Sequence, residues 1–237
     1  MRSIRLSENC MFRLEGRALI FGSKGGIGSA FNDYLCDKLG RENVISFSRS
    51  EQDFEITDEK SLEEIASKTF GPFRLIINST GVLDTSGFGP EKTINSIRKD
   101  TMLEVMAINA IGPALLLKHF SKKLDRESLS IFVNLSARVG SIEDNKLGGW
   151  ITYRASKAAL NQIIKTASIE IQRKNNNAIC IGLHPGTVKT QFTKNYHNRV
   201  ESVSAERSVD MLMSVLQKIK YADNGQVFAY DGNVIPW

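Results

Sequence analysis

Residues 17–39 read RALIFGSKGGIGSAFNDYLCDKL. The apolar run at 17–21 predicts a strand, and 26–39 has the apolar spacing of a helix packed on one face. Between them stand Gly22, Gly26 and Gly28, spaced G-x-x-x-G-x-G. Glycines at a strand-to-helix turn let the backbone bend tightly, and they let a pyrophosphate approach the helix N-terminus closely. The commoner spacing GxGxxG is not met, because Phe31 stands where a small residue is expected. Ser23, Lys24 and Ile27 complete the candidate phosphate cradle.

Outward from this unit the pattern repeats. Further strands are predicted at 44–47, 73–77, 130–135, 178–183 and 227–230, with helices at 58–68, 97–120, 153–174 and 205–218. Such alternation argues for βαβ units around a parallel sheet covered on both faces. The expected fold is α/β, a doubly wound Rossmann arrangement with a mostly parallel sheet. One domain is expected to span residues 1–237, with residues 1–15 frayed and the polar stretch 187–204 forming a mobile loop.

Composition narrows the function. The 237 residues are 41% hydrophobic and 24% charged, ordinary values for a globular α/β domain. The net charge of +5 is spread along the chain without a basic-aromatic module, which argues against nucleic acid and suits an anionic cofactor. Cys10, Cys36 and Cys180 are far apart, as in a reducing compartment without a disulfide framework. His119, His184 and His197 are equally dispersed, so no metal site is expected. The N-terminus lacks the apolar core of a signal peptide. The most apolar stretch, 105–117, is too short to span a bilayer. A cytoplasmic location with no membrane partner is expected.

Three further features carry chemistry. The second predicted strand runs into Ser48, Arg49 and Ser50. About 20 residues past the glycines an acidic residue would bind the 2′-hydroxyl of NAD, whereas an Arg accommodates the 2′-phosphate of NADP. The acid is missing and Arg49 is present, with Lys24 as a second cation, so NADP is favoured over NAD. In MAINAIGPALLLKHF, residues 106–120, Pro113 has no N–H for the carbonyl of Asn109. A kink that frees this carbonyl for a water or side chain is one reading, and an Asn that merely caps a helix break is the other. Finally, Tyr153 and Lys157 share one helix face at i, i+4. An ammonium beside a phenol of pKa ~10 stabilises the phenolate and makes it a usable acid/base.

This ordered set resembles the short-chain dehydrogenase/reductase family over nearly the whole chain. Gly22, Gly26 and Gly28 match its G-x3-G-x-G, with Phe21 where Thr is usual. Glu55-Ile56-Thr57-Asp58 matches its DVTD element, Asn78-Ser79-Thr80-Gly81 its NNAG, and Asn109 to Pro113 its NxxGP helix. Pro185, Gly186 and Thr190, with Val188 between, match PGxxxT, the loop near the nicotinamide carboxamide. SARVGSIEDNKLGGW, YRASKAALN and the ending DGNVIPW are most similar to the C-factor (C-signal) group of the family. The resemblance implies catalysis by Tyr153, Lys157 and Asn109. It implies NADP(H) held by the glycine loop, Ser48, Arg49, Glu55, Ile56, Asn78, Gly81, Tyr153, Lys157 and the 185–190 loop. It further implies a small carbonyl or alcohol substrate, and a homodimer or homotetramer built on the Asn109 and Tyr153 helices.

One position departs. The family strand end reads N-x-S-S-x-x-G, and its second Ser is catalytic. Aligning Asn134 and Gly140 places Ser136 on the first Ser and Ala137 on the second. Strand neighbours point to opposite faces, so Ser136 or Ser141 must be brought in by a bend if either is to serve. The expected function is an NADP(H)-dependent oxidoreductase that interconverts a carbonyl and an alcohol by hydride transfer, with Tyr153 as acid/base. The alternative is a dinucleotide-binding signalling or regulatory protein with weak or no catalysis.

Overall fold

The computed structural model describes residues 11–51, 54–194 and 202–237. Strands β1 (Ala18–Phe21), β2 (Val44–Phe47), β3 (Leu75–Asn78), β4 (Ser130–Leu135), β5 (Ala178–His184) and β6 (Val227–Ala229) form one sheet in the order β2-β1-β3-β4-β5-β6. Every pairing between them is parallel, stricter than the mostly parallel sheet expected. Strands β1, β3 and β4 are buried throughout, which is why they are apolar on both faces instead of alternating.

Among the described residues, six α-helices cover the sheet: α1 (Gly26–Leu39), α2 (Glu59–Lys68), α3 (Lys99–Met106), α4 (Gly112–Phe120), α5 (Ile151–Lys174) and α6 (Ala205–Leu216). On one face Phe31, Leu35, Leu212 and Leu216 pack onto Ile20, Val133 and Ile181. On the other, Leu62, Leu116, Phe120, Leu160 and Ile164 pack onto Phe21, Ile76 and Phe132. The order reverses at β1, which lies between β2 and β3. Crossovers leave this point in opposite directions and open a crevice at the carboxyl ends of the strands, the usual ligand position in open α/β sheets.

Several boundaries differ from the sequence reading for visible reasons. Strand β3 begins at Leu75 because Phe73 makes only an isolated bridge, to Leu124. Helix α2 begins after Asp58, whose carboxylate accepts from the Lys60 N–H at 3.0 Å and so caps it. Residues 11–15 are not frayed, because Phe12 is buried in the α1–α6 core and donates its N–H to the Ile219 carbonyl at 3.2 Å. The earlier residues, including Cys10, lie outside the described residues, as do Tyr196 and His197. Of the stretch 187–204, Val188 forms a parallel bridge with Val203, and Gln191–Thr193 make one 3-10 turn.

The interruption at Pro113 takes the form of a π-helical turn, Ala107–Ile111, joining α3 to α4. The Gly112 N–H closes it on the Ala107 carbonyl. A wider turn accommodates the donor that Pro113 lacks without ending the helix. The resulting segment Lys99–Lys123 is long and apolar enough to cross a bilayer by composition, which corrects the expectation drawn from 105–117 alone. In the fold its Leu116, Leu117 and Phe120 are core residues.

Candidate active site

The glycine loop is tied to the end of β2, where the Phe47 carbonyl accepts from the N–H groups of Gly22 (2.8 Å) and Ser23 (3.2 Å). A Cβ on Gly28 would stand 2.1 Å from the Gly22 carbonyl oxygen, and one on Gly26 2.4 Å from Thr190 Cγ2. The first crowding lets helix α1 start directly against the loop. The second seats the 185–190 segment on the same loop, so two predicted cofactor elements meet. Gly25 caps α1 without a side-chain hydrogen bond, and the first turn holds no acid. Its leading N–H groups are therefore left for an anion. Ile27 packs partly buried against the core.

After β2, Ser48 lies within 3.4 Å of Ser50, oxygen to oxygen, and the exposed Arg49 makes no ion pair among the described residues. Lys24 is paired with Glu51 at 2.8 Å, so this second cation is already partly neutralised. Glu55 turns its carboxylate back on the N–H and hydroxyl of Thr57, at 3.1 and 2.9 Å, and Ile56 packs in the core where a Cβ on Gly112 would strike it. These residues, with the uncapped α1 terminus, fit an anionic dinucleotide.

A buried polar chain organises the middle of the sheet edge. Asn78 donates to Asn134 across β3 and β4 at 3.0 Å and accepts from the Thr80 N–H and hydroxyl at 3.1 and 2.6 Å. That turn carries the chain through Gly81 to Val82, where Asn109 grips the backbone from both sides. Its Oδ1 accepts from the Val82 N–H at 2.9 Å, and its Nδ2 donates to the Val82 carbonyl at 2.8 Å and to Ser156 Oγ at 3.0 Å. Asn109 is fully buried, so these bonds offset its desolvation. The side chain thus locks the loop after β3 to α5, beyond either role open to it from sequence.

Helix α5 presents the pair. Tyr153 is 6% exposed and Lys157 4% exposed, with the ammonium 5.9 Å from the centre of the tyrosine ring. Lys157 Nζ donates to the Leu135 carbonyl at the end of β4, 2.9 Å away. Burial lowers the Lys157 pKa to about 8 and raises that of Tyr153 well above its ordinary value. Both shifts come from desolvation, and together they leave a protonated phenol beside an ammonium at neutral pH. Trp150 and Phe192 stand edge-on to the tyrosine ring, at 6.2 and 6.1 Å between ring centres.

The candidate serine hydroxyls are bound to other groups. Ser136 donates to Asn161 Oδ1 at 2.5 Å, two turns along α5 from Tyr153, and Ser141 donates to the Trp237 carbonyl at 3.3 Å while accepting from the Asp144 N–H. Ala137 is buried between them and carries no hydroxyl. The structure therefore gathers Tyr153, Lys157 and Asn109 with the predicted cofactor elements, and it directs the Ser136 and Ser141 hydroxyls to other partners.

Two supporting residues escaped the sequence reading. Glu91 holds the start of α5: its carbonyl accepts from the Trp150 N–H at 2.6 Å, and its buried carboxylate accepts from the Thr152 N–H at 3.3 Å and from the Thr152 hydroxyl. This capping explains why α5 begins before Tyr153, and no local pattern could announce a cap from a distant loop. Asn161 was within reach of inspection, since it lies one turn beyond Lys157 on the same face.

Comparison with known proteins gives the family and the fold. The profile of the family described as short chain dehydrogenase matches residues 52–201. The chain belongs to that family. Among characterised relatives of this short-chain dehydrogenase, C-signal of Myxococcus xanthus is 28% identical over 167 residues, covering 70% of the chain and 94% of the relative. The 1-hydroxy-2-glutathionyl-2-methyl-3-butene dehydrogenase of a Rhodococcus species is 24% identical, covering 92% of the chain and 98% of that protein. Among solved structures, the NADPH-bound carbonyl reductase from chicken fatty liver superposes with a TM-score of 0.76 at 27% identity, over 93% of this chain and 98% of that one. In this short-chain dehydrogenase Ala137 follows Ser136 at the end of β4.

Proposed function

We propose that the chain catalyses the NADP(H)-dependent interconversion of a small carbonyl compound and its alcohol. The observation that carries this reading is the buried Tyr153–Lys157 pair on the helix beside the glycine cradle. The likeness to the chicken carbonyl reductase, which binds NADPH, and Arg49 with its flanking serines support NADP(H) over NAD(H). The 2′-phosphate would meet Arg49 and Ser48, and the pyrophosphate would meet the N-terminus of α1.

When bound, the cofactor supplies or accepts the hydride at the substrate carbon. The protein's part is proton transfer and placement. In reduction Tyr153 gives its hydroxyl proton to the carbonyl oxygen, and the Lys157 ammonium stabilises the phenolate left behind. Asn109 acts at one remove, by holding the Val82 loop against α5. Trp150 and Phe192 flank the tyrosine and present apolar edges to the substrate. Exposed Leu103, Ile111 and Ile169 on α3, the π turn and α5 favour a homodimer or homotetramer through these helices. The free thiols of Cys36 and Cys180 suit a reducing, cytoplasmic setting.

The test is NADPH and NADH oxidation against a panel of ketones, aldehydes and quinones. Turnover of at least one class, faster with NADPH, is the expected result. A second reading, cofactor binding in a regulatory role without turnover, is favoured by the missing hydroxyl at Ala137. NADPH binding with no turnover across the panel, and none gained in A137S, would replace the first reading with the second.

The Lys157 pKa sets a pH profile. Its ammonium is needed as the phenolate forms, so kcat/KM for reduction is expected to be level below pH 8 and to fall above an apparent pKa of about 8. In K157R the charge persists to higher pH, and the descending limb moves upward or disappears. A wild-type profile with no descending limb between pH 7 and about 9 would remove Lys157 from this role.

A further inference from the structure

We infer that His184 supplies the hydrogen bond to the reacting oxygen that the serine missing at Ala137 would otherwise make. This rests on the carbonyl–alcohol reading above.

The placement follows from strand register. Residues on β5 alternate faces: Ile179, Ile181 and Leu183 pack with α1 and α6, whereas Cys180 packs with α5. A Cβ on Gly182 would touch Ile164 of α5 at 3.3 Å, so this residue shares the α5 face. His184 comes two residues later and presents its ring to that same face, at the carboxyl end of the strand. Its neighbour across β4 is set by the Ser136 N–H, which donates to the Leu183 carbonyl at 2.8 Å. His184 thus stands beside the Ser136–Ala137 corner and under the helix of Tyr153 and Lys157. The chain then runs through Pro185 and Gly186 to Phe192, which contacts the Tyr153 ring.

The ring is held but not satisfied. Tyr230 stands edge-on to it at 6.3 Å between centres, and a Cβ on Gly186 would strike the same Tyr230 at 2.9 Å, so the ring is closely packed on that side. Among the described residues, His184 Nδ1 is the buried side-chain polar atom with no hydrogen-bond partner. Buried polar atoms are nearly always paired, and an orphan on the sheet face that the Tyr153 helix covers marks a place where a ligand atom completes the set. Ser136 and Ser141 hydroxyls point to Asn161 and Trp237, which leaves His184 to do this at the corner.

Its chemistry is suitable. Burial above all, with smaller lowering contributions from Arg138 and Lys157 and an opposing one from Asp231, brings the His184 pKa down to about 4. The imidazole is therefore neutral at neutral pH and carries one N–H, which donates to a carbonyl oxygen during reduction without competing with Tyr153 for the proton transfer.

The experiment compares wild type, H184A, A137S and the double variant A137S/H184A, using the best carbonyl compound from the panel. Loss of one donor to the reacting oxygen typically costs ~10²–10³ in rate. H184A is expected to lose about that factor in kcat with unchanged NADPH affinity, and serine at position 137 is expected to restore much of it in the double variant. A merely structural histidine would not be rescued by a hydroxyl placed at another residue. A readout independent of turnover is the ring 15N signal of His184 in the NADPH-bound protein, titrated with isopropanol and benzyl alcohol, which form a dead-end pair with reduced cofactor. A shift of the Nδ1 signal on adding alcohol is expected. Wild-type kcat in H184A, or a loss that A137S does not restore together with an unmoved Nδ1 signal, would overturn the inference. Absence of any wild-type turnover would overturn the carbonyl–alcohol reading, whereas the alcohol titration still reports whether His184 meets a hydroxyl.

Discussion

Y153F is expected to lower the rate of carbonyl reduction by at least the ~10²–10⁴ that a positioned general acid contributes, while NADPH binds as before. The substitution is a clean one in this fold. The phenylalanine ring keeps the edge contacts with Trp150 and Phe192, so the wall of the site stays in place. Among the described residues nothing donates to or accepts from the Tyr153 hydroxyl, so its removal strands no buried partner. Burial favours the protonated phenol, which suits a proton donor and makes the loss specific to chemistry. Thermal stability should therefore stay close to wild type, and cofactor affinity, followed by quenching of Trp fluorescence, should be unchanged. Turnover that survives undiminished in Y153F would end the assignment of Tyr153 as the acid.

G28A is expected to fail earlier, at cofactor binding. Its Cβ would stand 2.1 Å from the Gly22 carbonyl oxygen and 2.5 Å from Ser79 Oγ, and the first of these is backbone that cannot rotate away. The start of α1 must then shift from the loop, and overpacking of this kind costs ~1–3 kcal/mol. The same shift misaligns the N–H groups that would receive the pyrophosphate. A lowered Tm together with lost NADPH binding is the expected pair of results, measured by thermal unfolding with and without NADPH. Wild-type NADPH affinity in G28A would show that the α1 terminus is not the phosphate site. The two variants separate the roles: one keeps the cofactor and loses the proton, and the other loses the cofactor.

Most of the architecture was legible because it rests on short-range rules. Apolar runs bounded by turn residues marked all six strands, since buried parallel strands must be apolar on both faces. Helix α1 and strands β2 and β4 have the bounds their patterns predicted. The glycine loop and the Tyr153–Lys157 spacing were equally plain, because each lies within a single turn or helix face. Less was legible where a side chain's partner is distant. Asn109 was seen as a break in a helix, and only the fold shows both its amide atoms bound to Val82. Glu91 showed no local signal, because its partner Thr152 lies on another element.

The serine question divides the two levels most sharply. From sequence alone, this chain reads as a parallel α/β protein with a phosphate-ready glycine turn, a Tyr–Lys pair on one helix face, and alanine where the family resemblance leads one to expect a serine. Each of these depends on residue type and spacing, which local backbone geometry converts directly into placement. Where the remaining hydroxyls and the imidazole point depends on which elements pack against them. Only the tertiary structure directs Ser136 to Asn161 and Ser141 to Trp237, and leaves the Nδ1 of His184 buried without a partner among the described residues. A side chain's hydrogen bonds are decided by the nearest groups in space, and in a doubly wound sheet those neighbours come from distant parts of the chain.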